Sequence, residues 1–186
     1  MHRSTLIKIG LLLLTTANCF ATVQVRDPLR IEGEEGYIEE KPAWPMLQNR
    51  NLEFEVQSTG NYCGFYSSWV VESNYLYLVS FSGRVKGQGP SGLLTKDIDL
   101  NWLFPESGGK VVADWFTGDI HLNLGDDRIR SMGGHIIATD TLVVLHVNKG
   151  MIEKKETYLY PDNIDVINKR ESEIYGAPID IRKMIK

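Results

Sequence analysis

Apolar and polar residues alternate one by one along several stretches of the chain, and this pattern limits the fold more than any other feature. Within 51–57, Leu52, Phe54 and Val56 are separated by polar residues. Successive side chains of an extended strand point to opposite faces, so this alternation predicts half-buried β-strands. A second strand is predicted over 111–124, with a core face on the even side formed by Phe116, Ile120, Leu122 and Leu124.

Residue type and turn signals predict further strands. Residues 62–72 and 75–81 are rich in aromatic and β-branched side chains, and 75–81 is apolar on both faces, as in a central strand. Asn148-Lys149-Gly150 predicts a hairpin between 136–147 and 151–159. Residues 83–92 are expected to form a Gly-rich loop, and 97–104 a short helix or an irregular strand. The sequence therefore predicts an all-β fold, a mostly antiparallel sandwich or open barrel of roughly seven to ten strands with at most one or two short helices.

Three regions are expected along the chain. Residues 1–21 have the features of a secretory signal peptide, and 22–50 form an acidic N-terminal arm in which Pro42 and Pro45 exclude a long helix. Residues 51–186 form a single β domain. A short C-terminal helix is possible in it, with Asp162 as N-cap and Gly176 after its end.

The N-terminal segment predicts export. Arg3 and Lys8 precede or border the apolar run 9–14, and small or polar residues follow as far as Ala21. This order is typical of a signal peptide cleaved after Ala21, and the apolar run is too short for a transmembrane anchor, which needs roughly 20 apolar residues. In the alternative, Cys19 is the lipidated first residue of a lipoprotein, but Asn18 before it is bulky for such a site. The expected location is periplasmic or secreted.

Composition and charge narrow the class of partner. The 186 residues are 42% hydrophobic and 24% charged, as in one ordinary globular domain. With 20 basic and 24 acidic residues the net charge is −4, and loss of Arg3 and Lys8 with the leader makes it −6. A nucleic-acid partner is therefore not expected, whereas a basic protein partner is favoured.

Residues with the chemistry for catalysis or metal binding are few. Asp119 and His121 share one face of the predicted strand over 111–124, so they could form an acid/base pair or a solvated polar pair. No His-x-x-x-His or Cys-x-x-Cys spacing is present, so no metal is expected. The glycine motif at 87–92 contains Pro90 in an all-β context, so no dinucleotide cofactor is expected. Cys63 is predicted to be a small apolar core residue rather than a nucleophile.

Aromatic residues give a better indication of function. Trp115 is the one tryptophan predicted on a polar strand face, where it shares the odd side with Thr117, Asp119 and His121. A flat ring in that position can stack on a sugar or anchor a protein partner, although core packing is the more frequent role. These four residues are the predicted binding site, and no catalytic residue is assigned.

One block of sequence resembles a known family. Tyr66 and Trp69, then Leu76-Tyr77-Leu78, Leu103-Phe104-Pro105 and the block 113–120 (Ala-Asp-Trp-Phe-Thr-Gly-Asp-Ile) follow one another in this order. The chain is similar over about residues 50–125 to a family of small bacterial proteins with no established function. The resemblance implies a bacterial source and implies no activity or ligand.

Two functions are consistent with these features. The first is an exported, non-enzymatic β domain that binds a protein partner, such as an immunity-type inhibitor of a toxin. The second is an envelope glycan-binding or glycan-hydrolysing domain that uses Trp115, Asp119 and His121. A purely structural role in the envelope is a third possibility.

Overall fold

The computed structural model describes residues 24–87, 95–130, 136–176, 178 and 180–184. The predicted signal peptide and Cys19 lie outside these residues, as do residues 88–92 of the predicted Gly-rich loop. The strands are β1 (Asp27–Ile31), β2 (Glu34–Ile38), β3 (Phe65–Glu72), β4 (Tyr75–Lys86), β5 (Thr95–Asp99), β6 (Val111–Val112), β7 (Gly118–Arg130), β8 (Ile136–Asn148) and β9 (Met151–Leu159). The helices are α1 (Trp44–Asn49), α2 (Leu100–Leu103), α3 (Asn163–Tyr175) and α4 (Ile181–Met184).

All nine strands belong to one mixed sheet, which confirms the all-β prediction. The strand order is β3-β1-β2-β7-β8-β9-β4-β5, β6 pairs with β4, and β4 also pairs with β3. Seven strands therefore form a closed circuit of pairings. Its two narrowest junctions are single residue pairs, Tyr37 with Asn123 and Tyr75 with Met151. The β1–β3 pair is parallel and the other pairs are antiparallel.

The main core lies inside this circuit, because the inward-facing residues of its strands are apolar. Leu29, Trp69, Leu78, Leu122 and Leu145 are each at most 2% exposed. Met46 and Leu47 of α1 add to the same core. Strand β8 is buried on both faces: Val143 and Leu145 point inward, and Leu142 and Val144 point outward.

A second, smaller core explains the run of apolar residues in β8. Helix α3 covers the outer face of the sheet, with Ile164 and Ile167 packed in one cluster with Leu142 and Val144. Helix α4 contributes Ile181 to this cluster. The predicted C-terminal helix is present, beginning after Asp162, and Gly176 ends it in the left-handed conformation with φ 64°.

The hairpin predicted from Asn148-Lys149-Gly150 is confirmed. Strands β8 and β9 are joined by Lys149 and Gly150, whose φ angles are 47° and 78°. Positive φ at both central positions of a two-residue turn matches the twist of the flanking strands. Strand β4 is longer than predicted, because 83–86 pair with β5 instead of forming a loop.

Two strand predictions were wrong. Residues 51–57 form no strand; Phe54 makes an isolated bridge to Val85, and Val56 is 50% exposed. The predicted strand over 111–124 is interrupted by a turn at Asp114 and Trp115, so β6 ends at Val112 and β7 begins at Gly118. The described residues contain four helices, two more than the sequence predicted.

The acidic segment 22–50 contains the β1–β2 hairpin and α1. Asp27 of β1 is fully buried, and its carboxylate accepts hydrogen bonds from Ser67 and from the Lys41 ammonium, the latter at 2.7 Å. The Trp69 indole N–H donates to the Ser67 hydroxyl at 3.1 Å. This hydrogen-bonded chain satisfies the buried charge.

Within the described residues, no helix is long and apolar enough to cross a membrane.

Candidate functional site

The predicted pair Asp119 and His121 lies on the outer face of β7, but the two side chains bond to different partners. Asp119 bonds to His146, which is directly opposite it on β8. His121 bonds to Glu40, which is 81 positions earlier in the chain. The structure therefore contains two separate histidine–carboxylate networks where the sequence predicted one.

In the first network, His146 bridges three strands. Its Nδ1 lies 2.7 Å from Oδ1 of Asp119, and its Nε2 lies 2.7 Å from Oε2 of Glu156 on β9. The hydrogen bond to Glu156 is the main cause that raises the pKa of His146, and Asp119 adds to it. The same bond, with Lys154, lowers the pKa of Glu156 to about 2. An imidazolium donating to two carboxylates is consistent with both shifts.

In the second network, Glu40 connects β7 to α3. Its carboxylate accepts from the backbone N–H of His121 at 3.2 Å and lies 2.9 Å from Nδ1 of the same residue. Arg170 of α3 lies 3.3 Å from Glu40 and 3.3 Å from Glu39. Burial raises the pKa of Glu40, but the His121 hydrogen bond and the Arg170 charge outweigh it and hold the pKa below its ordinary value. This network fixes the segment after β2 against the sheet and the helix.

Trp115 is part of a stack that holds two loops together. Its ring stacks on Phe104, with centroids 5.6 Å apart and planes 13° apart, and the Arg50 guanidinium lies 4.6 Å from the Phe104 centroid. The Trp115 indole N–H donates to the Pro42 carbonyl at 2.9 Å. Trp115 is partly buried against the main core, because the turn at 114–115 directs it away from the outer face of β7.

Thr117 lies at the end of the β8–β9 hairpin. Its hydroxyl accepts a hydrogen bond from the Lys149 backbone N–H at 3.0 Å, which holds the hairpin turn against the start of β7. Of the four predicted site residues, Asp119 and His121 share the outer face of β7. Trp115 and Thr117 precede that strand.

Cys63 is a free thiol, partly buried against the main core, which agrees with its predicted apolar role. In the described parts of the chain, no group of three histidine, cysteine or carboxylate side chains is arranged to hold a metal ion.

A groove that the sequence did not predict lies across β3, β4 and β5. Its volume is about 500 Å³. Tyr66, Ser82 and Arg84 form its floor; Tyr66 pairs directly with Ser82, and Ser82 and Arg84 share one face of β4. One wall is the segment 55–57 and the other is β5, and the lining residues are Glu55, Val56, Gln57, Tyr66, Ser82, Gly83, Arg84, Asp97 and Ile98.

Charges face one another across this groove. Arg84 Nε donates to Asp97 Oδ1 on one wall at 2.8 Å, and Arg84 Nη1 lies 3.9 Å from Glu55 Oε2 on the other. The hydrogen bond to Arg84 lowers the pKa of Asp97, so this carboxylate is charged at neutral pH. The lining therefore carries two carboxylates and one guanidinium.

Large exposed side chains lie on the loop that leads into β3 and on β3 itself, and both segments line the groove. Val56 is 50% exposed, Tyr62 63% and Tyr66 41%. The loop is tied to the N-terminal segment, since Val25 N–H donates to the Gly60 carbonyl and Tyr62 N–H donates to Gln24. We refer to Val56, Tyr62, Tyr66 and the groove residues together as the loop surface.

Sequence reasoning missed the loop surface because its parts come from three separated segments. The available signal was the aromatic-rich stretch 62–72, which contains Tyr62 and Tyr66. No protein-family model, curated protein or solved structure matches the chain. The family resemblance over 50–125 stays a prediction.

Proposed function

We propose that this protein is an exported, non-enzymatic β domain that binds a protein partner through the loop surface. One observation carries the proposal: Val56 and Tyr62 of the loop before β3 and Tyr66 of β3 expose large side chains, and Val56 and Tyr66 line a groove with charged walls. Tyrosine is among the residue types that contribute most to binding at protein interfaces. Aromatic side chains also lose little conformational entropy when they become ordered.

The contacts of the histidines support a binding role over a catalytic one. Both ring nitrogens of His146 lie within hydrogen-bond distance of carboxylates, and Glu40 bonds to His121 through both its side chain and its backbone. These bonds connect β7, β8, β9 and the segment after β2. They give each histidine a structural role in the sheet.

Charge supports a basic partner. Without the predicted leader the chain loses Arg3 and Lys8, and its net charge is −6. Such a charge accelerates the approach of a basic protein at low ionic strength, although it sets no specificity by itself. An immunity-type inhibitor of a secreted toxin is one concrete form of this function.

The glycan-binding alternative gains less from the structure. It required Trp115 as an open platform, but one face of this ring stacks on Phe104 and its N–H is used by Pro42. The alternative remains an outcome of the experiment below, because the groove is lined by Tyr66 together with polar side chains that a sugar could also contact.

Capture with matched tyrosine variants tests the proposal. Biotinylated wild type, Tyr62→Ala, Tyr66→Ala and the control Tyr75→Ala are incubated with envelope extract of the producing cells. Tyr75 is 39% exposed and lies at the far end of β4, roughly 20 Å along the strand from Ser82. Each protein that is enriched by the wild type is then purified and its Kd measured.

We expect one partner that binds wild type and Tyr75→Ala equally and binds Tyr62→Ala and Tyr66→Ala at least about tenfold more weakly. Equal affinity of all four proteins would contradict the proposal. So would retention of the wild type on a glycan column with no protein partner.

Export is tested separately. Amino-terminal sequencing of the protein from the envelope fraction is expected to begin at Thr22, after the predicted cleavage. Palmitate labelling of the wild type that is absent from Cys19→Ser would favour the lipoprotein alternative. A chain that retains Met1 in the cytosol would contradict export.

A further inference from the structure

We infer that the groove receives a basic side chain, best an arginine, from the partner. The inference rests on the proposed function and names the chemistry of the group that the partner inserts. It depends on three properties of the groove: an exposed ring on its floor, a carboxylate on each wall, and apolar atoms that can contact an aliphatic stem.

The ring is Tyr66, which is 41% exposed and lies on the same face of the sheet as Ser82 and Arg84. A guanidinium placed over an aromatic face is attracted by the ring quadrupole, and arginine is the cation most often found there. The exposed Val56 lies in the wall formed by 55–57, where it can pack against the methylene stem of the incoming side chain.

The two carboxylates retain capacity for a second cation. Arg84 donates to one oxygen of Asp97, and its approach to Glu55 is an ion pair at 3.9 Å. Each carboxylate has two oxygens that can accept several hydrogen bonds. The side chains of Asp97 and Glu55 are 77% and 45% exposed, so an incoming donor can reach them.

Arginine fits this arrangement better than lysine does. Its planar guanidinium carries five N–H donors and can donate to carboxylates on both walls while it stacks on Tyr66. The lysine ammonium is a point charge that is strongly hydrated and does not stack in this way. Arg84 already pairs with both walls, so the incoming guanidinium takes the carboxylate oxygens that Arg84 leaves free.

Peptide titrations followed by NMR test the inference with defined probes. The purified protein is titrated with Ac-Gly-Arg-Gly-NH2 and with the citrulline peptide, which has nearly the same shape and no charge. We expect the arginine peptide to shift the amide signals of Gln57, Tyr66 and Ser82 with saturation. The citrulline peptide should bind at least about tenfold more weakly, which corresponds to one charge-assisted hydrogen bond.

Variants and salt sharpen this test. Glu55→Gln with Asp97→Asn should abolish the difference between the two peptides, whereas the control Glu106→Gln, at another exposed carboxylate, should preserve it. Addition of salt should weaken the binding of the arginine peptide and leave the binding of the citrulline peptide unchanged. The amide spectrum of each variant checks that its fold is retained.

Three results would overturn the inference. They are equal binding of the two peptides, an absence of saturable shifts with either, and shifts of the same residues by N,N′-diacetylchitobiose alone. If the arginine peptide does not bind but Tyr66→Ala binds the captured partner more weakly than the wild type does, the inference is wrong and the proposed function stands. If Tyr66→Ala retains that partner, the proposed function itself is wrong.

Discussion

The Nε2 atom of His146 lies 2.7 Å from Oε2 of Glu156, while Nδ1 of the same ring lies 2.7 Å from Asp119. One side chain of β8 is therefore bonded to both neighbouring strands. This bridge ties β7, β8 and β9 together on the outer face of the sheet, where His146 lies two residues after Val144 on the same side of β8.

The bridge predicts a defined pH dependence of stability. The pKa of His146 is raised from 6.5. The stability that protonated His146 contributes is therefore fully present below about pH 6.5 and is lost as the pH rises through the pKa of His146 in the folded protein. The pKa of Glu156 is lowered from 4.5 to about 2, so its contribution is present above about 4.5 and is lost as the pH falls toward 2. The difference in urea midpoint between wild type and His146→Gln should therefore be largest between about pH 4.5 and about pH 6.5.

Urea denaturation at a series of pH values measures this difference. Thr157→Ala, at an exposed position of β9, is the matched control and should show no pH-dependent difference. A His146→Gln difference that stays constant across the series would show that the bridge is not formed in solution.

The buried carboxylate of Asp27 predicts a large loss of stability on neutralisation. Asp27→Asn leaves the Lys41 ammonium, whose side chain is 17% exposed, without its charged partner. Removal of one member of a buried ion pair costs about 3 to 5 kcal/mol. Chemical denaturation monitored by tryptophan fluorescence measures the change. Asp165→Asn, which removes an exposed pair with Arg182, serves as control and should change stability little.

The stack of Arg50, Phe104 and Trp115 predicts that Trp115 contributes to stability. Trp115→Ala removes the ring contact and the indole hydrogen bond to Pro42, and the expected loss is about 2 kcal/mol for a partly buried aromatic. Trp115→Phe keeps the ring contact and should lose less. If Trp115→Ala left the unfolding midpoint unchanged, the ring would be free to act as a ligand platform, as the glycan alternative requires.

Gly36 is predicted to be essential for the narrow junction between β2 and β7. A Cβ added to Gly36 would lie 2.1 Å from the Asn123 carbonyl oxygen, next to the single residue pair of this junction. Gly36→Ala should therefore destabilise the protein by about 1 to 3 kcal/mol and increase hydrogen exchange of the Tyr37 amide. The neighbouring Glu35 is exposed, so Glu35→Ala should change stability and exchange little. Unchanged exchange in Gly36→Ala would mean that the junction is open in solution.

Local patterns predicted the parts of the fold that depend on local physics. The β8–β9 hairpin followed from a turn in which Lys149 and Gly150 adopt positive φ, and the helix after Asp162 followed from its apolar spacing. The prediction over 51–57 failed because alternation describes a strand only where a neighbour provides backbone partners. Here β4 provides partners only around Phe54, which bridges to Val85: Glu55 N–H donates to the Arg84 carbonyl and Lys86 N–H donates to the Glu53 carbonyl.

The candidate site was less predictable because it depends on contacts between distant segments. His121 and Glu40 are 81 positions apart, and the groove joins Glu55, Tyr66 and Asp97 only after β4 has paired with β3 and β5. Trp115 was misplaced because the turn at 114–115 ends the alternation that had assigned it to the face of Asp119.

Site-specific photocrosslinking tests the central claim most directly. A photoreactive phenylalanine analogue is placed at position 66 on the loop surface or at the control position 75, in cells that produce the protein. We expect a discrete protein adduct from position 66 after irradiation and none from position 75. Identical adducts from both positions, or no adduct from position 66, would contradict a partner-binding role for this surface.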